Sequence, residues 1–130
     1  MATAKLQVPA AAEQARTVRL VASTAAHRAG VDDDLLDDVR LAVSEAVALS
    51  VRRADSVDSA GTVSIVMFDE DDQFVVEVSD DLALAAQSAG EDLALSLPLI
   101  RALAPKSDIE ENSAGGQTVS LSWPISMSQI

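Results

Sequence analysis

Cysteine is absent from this 130-residue chain, and histidine occurs once, as His27. Without thiols there is no disulfide, no cysteine nucleophile and no thiolate metal site, a composition suited to a reducing cytosol. A lone imidazole does not make a ligand set, and His27 reads as a surface or structural residue near a helix C-terminus, where positive charge is favourable. Aromatic residues are only 2% of the chain, so the core has to be aliphatic and there is no platform on which bases could stack. No run of 18 apolar residues occurs and no charged-then-apolar leader opens the chain, so neither a membrane span nor a signal peptide is expected. Positive charge is also scarce: 9 Lys and Arg stand against 21 Asp and Glu, a formal net charge of -12. That field repels phosphate backbones and anionic membranes and steers in a basic protein partner, which argues against nucleic-acid and membrane binding.

What is present is enough chain for one domain with a real core, organised around residues 41–51, LAVSEAVALSV. At about 100° per residue, Leu35, Leu36, Val39, Ala42, Val43, Ala46, Val47, Leu49 and Ser50 share one broad arc of a helix that calls for a sheet or another helix over it. Glu45 stands at the edge of that arc, where a carboxylate can reach a cleft. Asp32, Asp33 and Asp34 open the helix and offset its macrodipole, which accounts for the acidic trio without a metal; Arg52 and Arg53 suit the negative end. An earlier helix is predicted over residues 9–29, with Pro9 in its first turn and Gly30 as its stop. Val18, Val21, Ala22, Ala25 and Ala29 form its inner face. Arg16, Arg19 and Arg28 lie outside, an arginine face on an acidic chain and so a candidate docking surface.

Residues 5–8 alternate and predict an edge strand ended by Pro9. Residues 62–68 and 73–80 predict a β-hairpin with Val63, Ile65, Met67, Phe74, Val76 and Val78 inward. Its acidic connection, residues 69–72, lacks the glycine and the spaced glutamate of a calcium loop. Residues 80–92 form a polar, alanine-rich crossover long enough for a mobile lid. A helix is expected from about Ser96, with Pro98 in its first turn. Residues 107–112 and 117–123 flank Gly115 and Gly116 as a closing hairpin with Val119, Leu121 and Trp123 inward. Residues 1–124 make the domain and 125–130 a loose tail.

The order β, α, α, β, β, lid, α, β, β resembles the ATP-binding (Bergerat) fold of the GHKL superfamily, which includes histidine kinases. The closer likeness is to anti-sigma-factor serine kinases of the RsbW type. QARTVRLVA (residues 14–22) is similar to that family's first helix and DDVRLAVSEAV (37–47) to its N box. EVSD (77–80) resembles the start of its first glycine box, LPLIRALA (97–104) the helix after the second, and GGQTVSLSW (115–123) its terminal Gly-Thr strand. The resemblance implies an α/β (α+β) two-layer sandwich, with helices on one face of a mixed, mainly antiparallel sheet. It makes Glu45 the catalytic base, Asp80, Gly116 and Thr118 nucleotide contacts, and Arg16, with Arg19 as companion, the partner contact.

The departures are concentrated at the site. The magnesium-holding asparagine of the N box is Leu49, the first glycine box has Leu82 and Leu84 for its glycines, and the second has Ala94 and Ser96. Glycines let phosphate loops adopt positive φ, which costs other residues roughly 1–2 kcal/mol. Leu49 offers no oxygen to magnesium, and buried it would instead stabilise the fold by about 1.5–3 kcal/mol. Asp81 adds a carboxylate where a triphosphate would come. The resemblance with these changes implies a cytosolic, homodimeric anti-sigma factor that occludes a sigma factor and is released by an anti-anti-sigma factor, with Glu45, Asp80, Gly116 and Thr118 vestigial and neither ATP nor Mg as cofactor. The alternative is an active ATP-dependent serine kinase acting on the anti-anti-sigma factor; a third reading gives the apolar pocket another small ligand.

Overall fold

The computed structural model describes residues 3–57, 61–82, 89–104 and 106–126, with residues 89–95 as backbone. Five strands, β1 (Thr3–Pro9), β2 (Thr62–Glu70), β3 (Gln73–Asp80), β4 (Lys106–Glu111) and β5 (Gln117–Pro124), form one sheet in the order β1-β2-β3-β5-β4. Three helices, α1 (Gln14–Ala29), α2 (Leu36–Ser56) and α3 (Ala89–Leu103), complete the α+β fold. Every strand pairing is antiparallel, so the expected sheet is met in its antiparallel part.

Alternation decides which face is covered. Val63, Ile65 and Met67 on β2, Phe74, Val76 and Val78 on β3, and Val119, Leu121 and Trp123 on β5 are all buried, as the period of two requires of a sheet with one dry face. Over them lies the apolar arc of α2, where Val39, Ala42, Val43, Ala46, Val47, Leu49 and Ser50 are buried; Val18, Ala22 and Ala26 of α1 join the same core. The indole of Trp123 packs 6.5 Å from the Phe74 ring and donates its N–H to the Leu103 carbonyl at 2.9 Å, tying the end of α3 to the sheet.

Several boundaries differ from those read in the sequence. Pro9 is the last residue of β1, paired with Thr62. The next residues make a turn, with Ala10 N donating to Gly61 O at 3.0 Å, so α1 starts only at Gln14. Gly30 ends α1 as expected, with φ 104°, a conformation glycine adopts without penalty. Asp33 and Asp34 of the acidic trio lie in a 3-10 turn, Asp33–Leu35, with Asp32 preceding it, before α2 begins. Pro98 lies inside α3 rather than in its first turn, and its ring is exposed; its missing N–H removes one bond of the helix. Residues 89–92 of the expected lid belong to α3, and residues 83–88 lie outside the described part. The start of the expected loose tail is held: Ile125 forms a bridge with Val31 and donates to Asp72 O at 2.9 Å, and Ser126 N donates to Gly30 O at 2.8 Å.

Candidate functional site

Asp80 closes β3 on the inward parity of Phe74, Val76 and Val78, so its carboxylate is delivered into the helix layer. Arg53 falls on the buried arc of α2, one turn past Leu49 and Ser50. The two meet: Arg53 Nε donates to Asp80 Oδ2 at 2.9 Å and Nη2 to Oδ1 at 3.2 Å, with side chains 3% and 0% exposed. Ser50 Oγ donates to Oδ2 at 3.1 Å, Leu82 N to Oδ1 at 3.2 Å and Gln117 N to Oδ1 at 3.1 Å. Five donors therefore meet a group with about four lone-pair directions. The bidentate guanidinium–carboxylate geometry is the strongest form of such a contact. This carboxylate has no acceptor capacity left for an incoming amine.

The adjacent arginine treats the other acid in the same way. Arg52 Nη2 donates to Glu45 Oε1 at 3.1 Å and to Ser96 Oγ at 2.6 Å, and Ser96 Oγ donates to the same Oε1 at 2.8 Å. Seven residues apart, Glu45 and Arg52 share one face of α2, and the buried Ser96 reaches them from α3. The Glu45 side chain is 23% exposed, at the rim of the arc as its position on the helix predicts. Ser96, at the second-glycine-box position, thus supplies a hydroxyl that bridges two helices.

Leu49 is wholly buried in the core and offers hydrocarbon where magnesium needs oxygen. Leu82 is also buried, but in a small satellite cluster with Ala54. A Cβ on Gly61 would stand 2.7 Å from its Cδ2, so Leu82 fills a niche against that glycine. Its carbonyl accepts from Arg53 Nη2 at 3.2 Å. Asp81 is exposed. Leu84 lies outside the described residues, and Ala94 is placed only as backbone within α3.

The terminal hairpin braces Asp80 from the other side. Asn112 Nδ2 donates to Asp80 O at 2.9 Å, while Asn112 Oδ1 accepts from Gly116 N at 3.1 Å. A Cβ on Gly116 would come within 2.0 Å of Asp80 O, so the glycine expected at a nucleotide contact is required here by strand packing. Thr118 lies on the outward parity that alternation predicts, where its hydroxyl meets Ser79 Oγ at 2.9 Å; Asn112 Nδ2, which donates to Asp80 O, also donates to Thr118 Oγ1 at 3.3 Å. Gln117 takes the inward position; its Nε2 is buried with no hydrogen-bond partner among the described residues. Arg16 is exposed and Arg19 half-buried on α1. Exposed His27 pairs with Asp33 at 3.3 Å, and no cluster of three or more metal-ligating side chains occurs among the described residues.

Sequence reasoning assigned Arg52 and Arg53 to the helix dipole and missed both pairings. The signal for Arg53 was in the periodicity: a charge on a buried arc must find its counter-charge, and Asp80 is the inward acid at the end of the neighbouring strand. The polar side chains of this site, Asp80, Arg53, Glu45, Arg52 and Ser96, are bonded to one another.

The model of the histidine kinase-like ATPase domain matches residues 8–123 of the chain. The serine-protein kinase RsbW of Listeria monocytogenes is 36% identical over 76 residues, covering 58% of this chain and 48% of that protein. RsbW of Bacillus subtilis is 36% identical over 77 residues, 59% and 48% of the two chains, and RsbW of Staphylococcus aureus 34% over 77 residues, 58% and 48%. The chain spans about half the length of these relatives.

Proposed function

The chain belongs to the histidine kinase-like ATPase domain family, and on that premise we propose that it is an anti-sigma-type regulator: a cytosolic homodimer that holds a sigma factor, yields it to an anti-anti-sigma partner, and binds no ATP. The similarity to RsbW supports the lineage, and the state of Asp80 supports the loss of nucleotide. An adenine amine needs a free carboxylate oxygen, and here Arg53, Ser50 and two backbone N–H groups hold both oxygens. Displacing Arg53 would strand a buried guanidinium, a penalty of several kcal/mol before any nucleotide contact forms. Leu49 removes the metal oxygen, and Glu45 Oε1 already accepts from Arg52 and Ser96, which leaves it poorly placed to take a proton as a general base.

Titration calorimetry with Mg-ATP tests this directly. No heat is expected at millimolar ligand; micromolar binding would instead favour an active serine kinase, the reading that the retained Glu45 and the RsbW kinases support. For the partner, the expected result is a stable complex with a sigma factor in pull-down without nucleotide. Exposed Arg16 is the residue to alter: Arg16→Glu should weaken binding to the sigma factor or its competitor about tenfold, a loss of about 1.4 kcal/mol. Unchanged affinity for both would remove α1 from the interface.

A further inference from the structure

At the end of the sheet opposite Asp80, an apolar trough of about 770 Å³ runs between the C-terminal half of α1 and the start of β1. Met67 and Phe74 line it from the sheet, and Leu20, Val21 and Ala25 from α1, with Ala4 on the far side. Leu20 is 59% exposed, a large apolar side chain left at its lip. The helical lining extends from Leu20 to Ala29, about 14 Å at 1.5 Å per residue. That length of exposed lining equals two to three turns of a second helix laid alongside.

One end of the trough is strongly acidic. Asp69 lines it, and the turn that follows carries Glu70, Asp71 and Asp72. Ile125 is bonded to Asp72 O and bridges Val31, which brings that turn beside exposed Asp32, Asp33 and Asp34. Arg28 lines the same end and His27 is engaged by Asp33; among the described residues, six further carboxylates thus neighbour the Asp69 end of the trough. The negative end of the α1 dipole points the same way.

We propose that this trough docks an amphipathic helix of a basic protein partner, with apolar side chains at i, i+3, i+4 and i+7 over Met67 and Phe74 and with Lys or Arg at the terminus that meets the acidic end. Charge selects this occupant. A second copy of a chain of net charge -12 would bring its own acidic pole, whereas a cationic helix is drawn in and aligned. The surface lies away from Asp80 and does not depend on the anti-sigma reading.

The test is fluorescence anisotropy on the full chain with a labelled helical peptide of about 15 residues, bearing that apolar stripe and three terminal arginines, against a twin with glutamates for arginines. The cationic peptide is expected to bind at least about tenfold more tightly and to weaken several-fold as salt is raised. Leu20→Glu should cost about tenfold for the cationic peptide at an unchanged melting temperature, since the residue is largely exposed. Asp71→Asn with Asp72→Asn, which keeps residues suited to φ 51° and 60°, should weaken the cationic peptide alone. Equal affinity of the twins, or binding of neither, overturns the proposal. So does a dimer in sedimentation that Leu20→Glu dissolves and that excludes the peptide, for then a second copy is the occupant.

Discussion

Arg53 and Asp80 place two opposite charges where water does not reach, and such a pair depends on both members. Removing one leaves a buried charge without its partner, at a cost of about 3–5 kcal/mol. Arg53→Ala and Asp80→Ala are each expected to destabilise the fold by that amount. The double variant should lose clearly less than their sum, because the second substitution removes the stranded charge. Urea unfolding of the four proteins measures this, and additive losses would mean the pair is not coupled. Gln117 is the opposite case: its Nε2 is buried with no hydrogen-bond partner among the described residues, so Gln117→Leu should cost little or stabilise slightly, since it removes an unsatisfied donor and keeps the apolar stem. Both residues sit where the periods of α2 and β5 put them, but the position of a residue does not name its partner.

At the scale of elements, the terminal hairpin presses on β3 and α3 is stapled to α2. Gly116→Ala would drive a Cβ to 2.0 Å from Asp80 O and 2.7 Å from its Oδ1, so the ends of β3 and β5 must part. A loss of about 2–4 kcal/mol is expected, with faster amide exchange at Gln117 while Trp123 fluorescence keeps its native maximum; a uniform loss of protection would mean that the whole sheet fails. Ser96→Ala removes the hydroxyl shared by Glu45 and Arg52 and should lower stability by about 1 kcal/mol in thermal unfolding, a modest value because both charged partners remain partly solvated. The elements themselves were legible in the sequence: alternation set β2, β3 and β5, and the apolar arc set α2. Their ends were less so. Pro9 ends β1 as expected, but the start of α1 at Gln14 and the place of Pro98 inside α3 depend on turn hydrogen bonds and packing that the sequence does not display.

For the whole molecule the governing quantity is the net charge of -12. Seven of its 21 acidic residues stand at the sheet end formed by residues 32–34 and 69–72, remote from Asp80. Like charges repel across the folded surface and salt screens them over about 8–10 Å. Added salt should therefore raise the melting temperature by a few degrees in scanning calorimetry. The buried Arg53–Asp80 pair is shielded from mobile ions and does not reverse that sign. A melting temperature that falls with salt would show that surface pairs such as Arg40–Asp37 outweigh the repulsion.

The one-dimensional pattern of this chain was sufficient to determine an aliphatic α+β sandwich, the inward faces of its strands, the burial of Leu49 and the absence of thiol chemistry, because periodicity and composition act locally. Which charges neutralise one another was decided by the tertiary structure. Arg53 and Asp80 are 27 residues apart, Glu45 and Ser96 51 residues apart, and only the docking of helices on the sheet brings them within hydrogen-bond reach. An electrostatic contact depends on distance in space, which a sequence encodes only through the fold it produces.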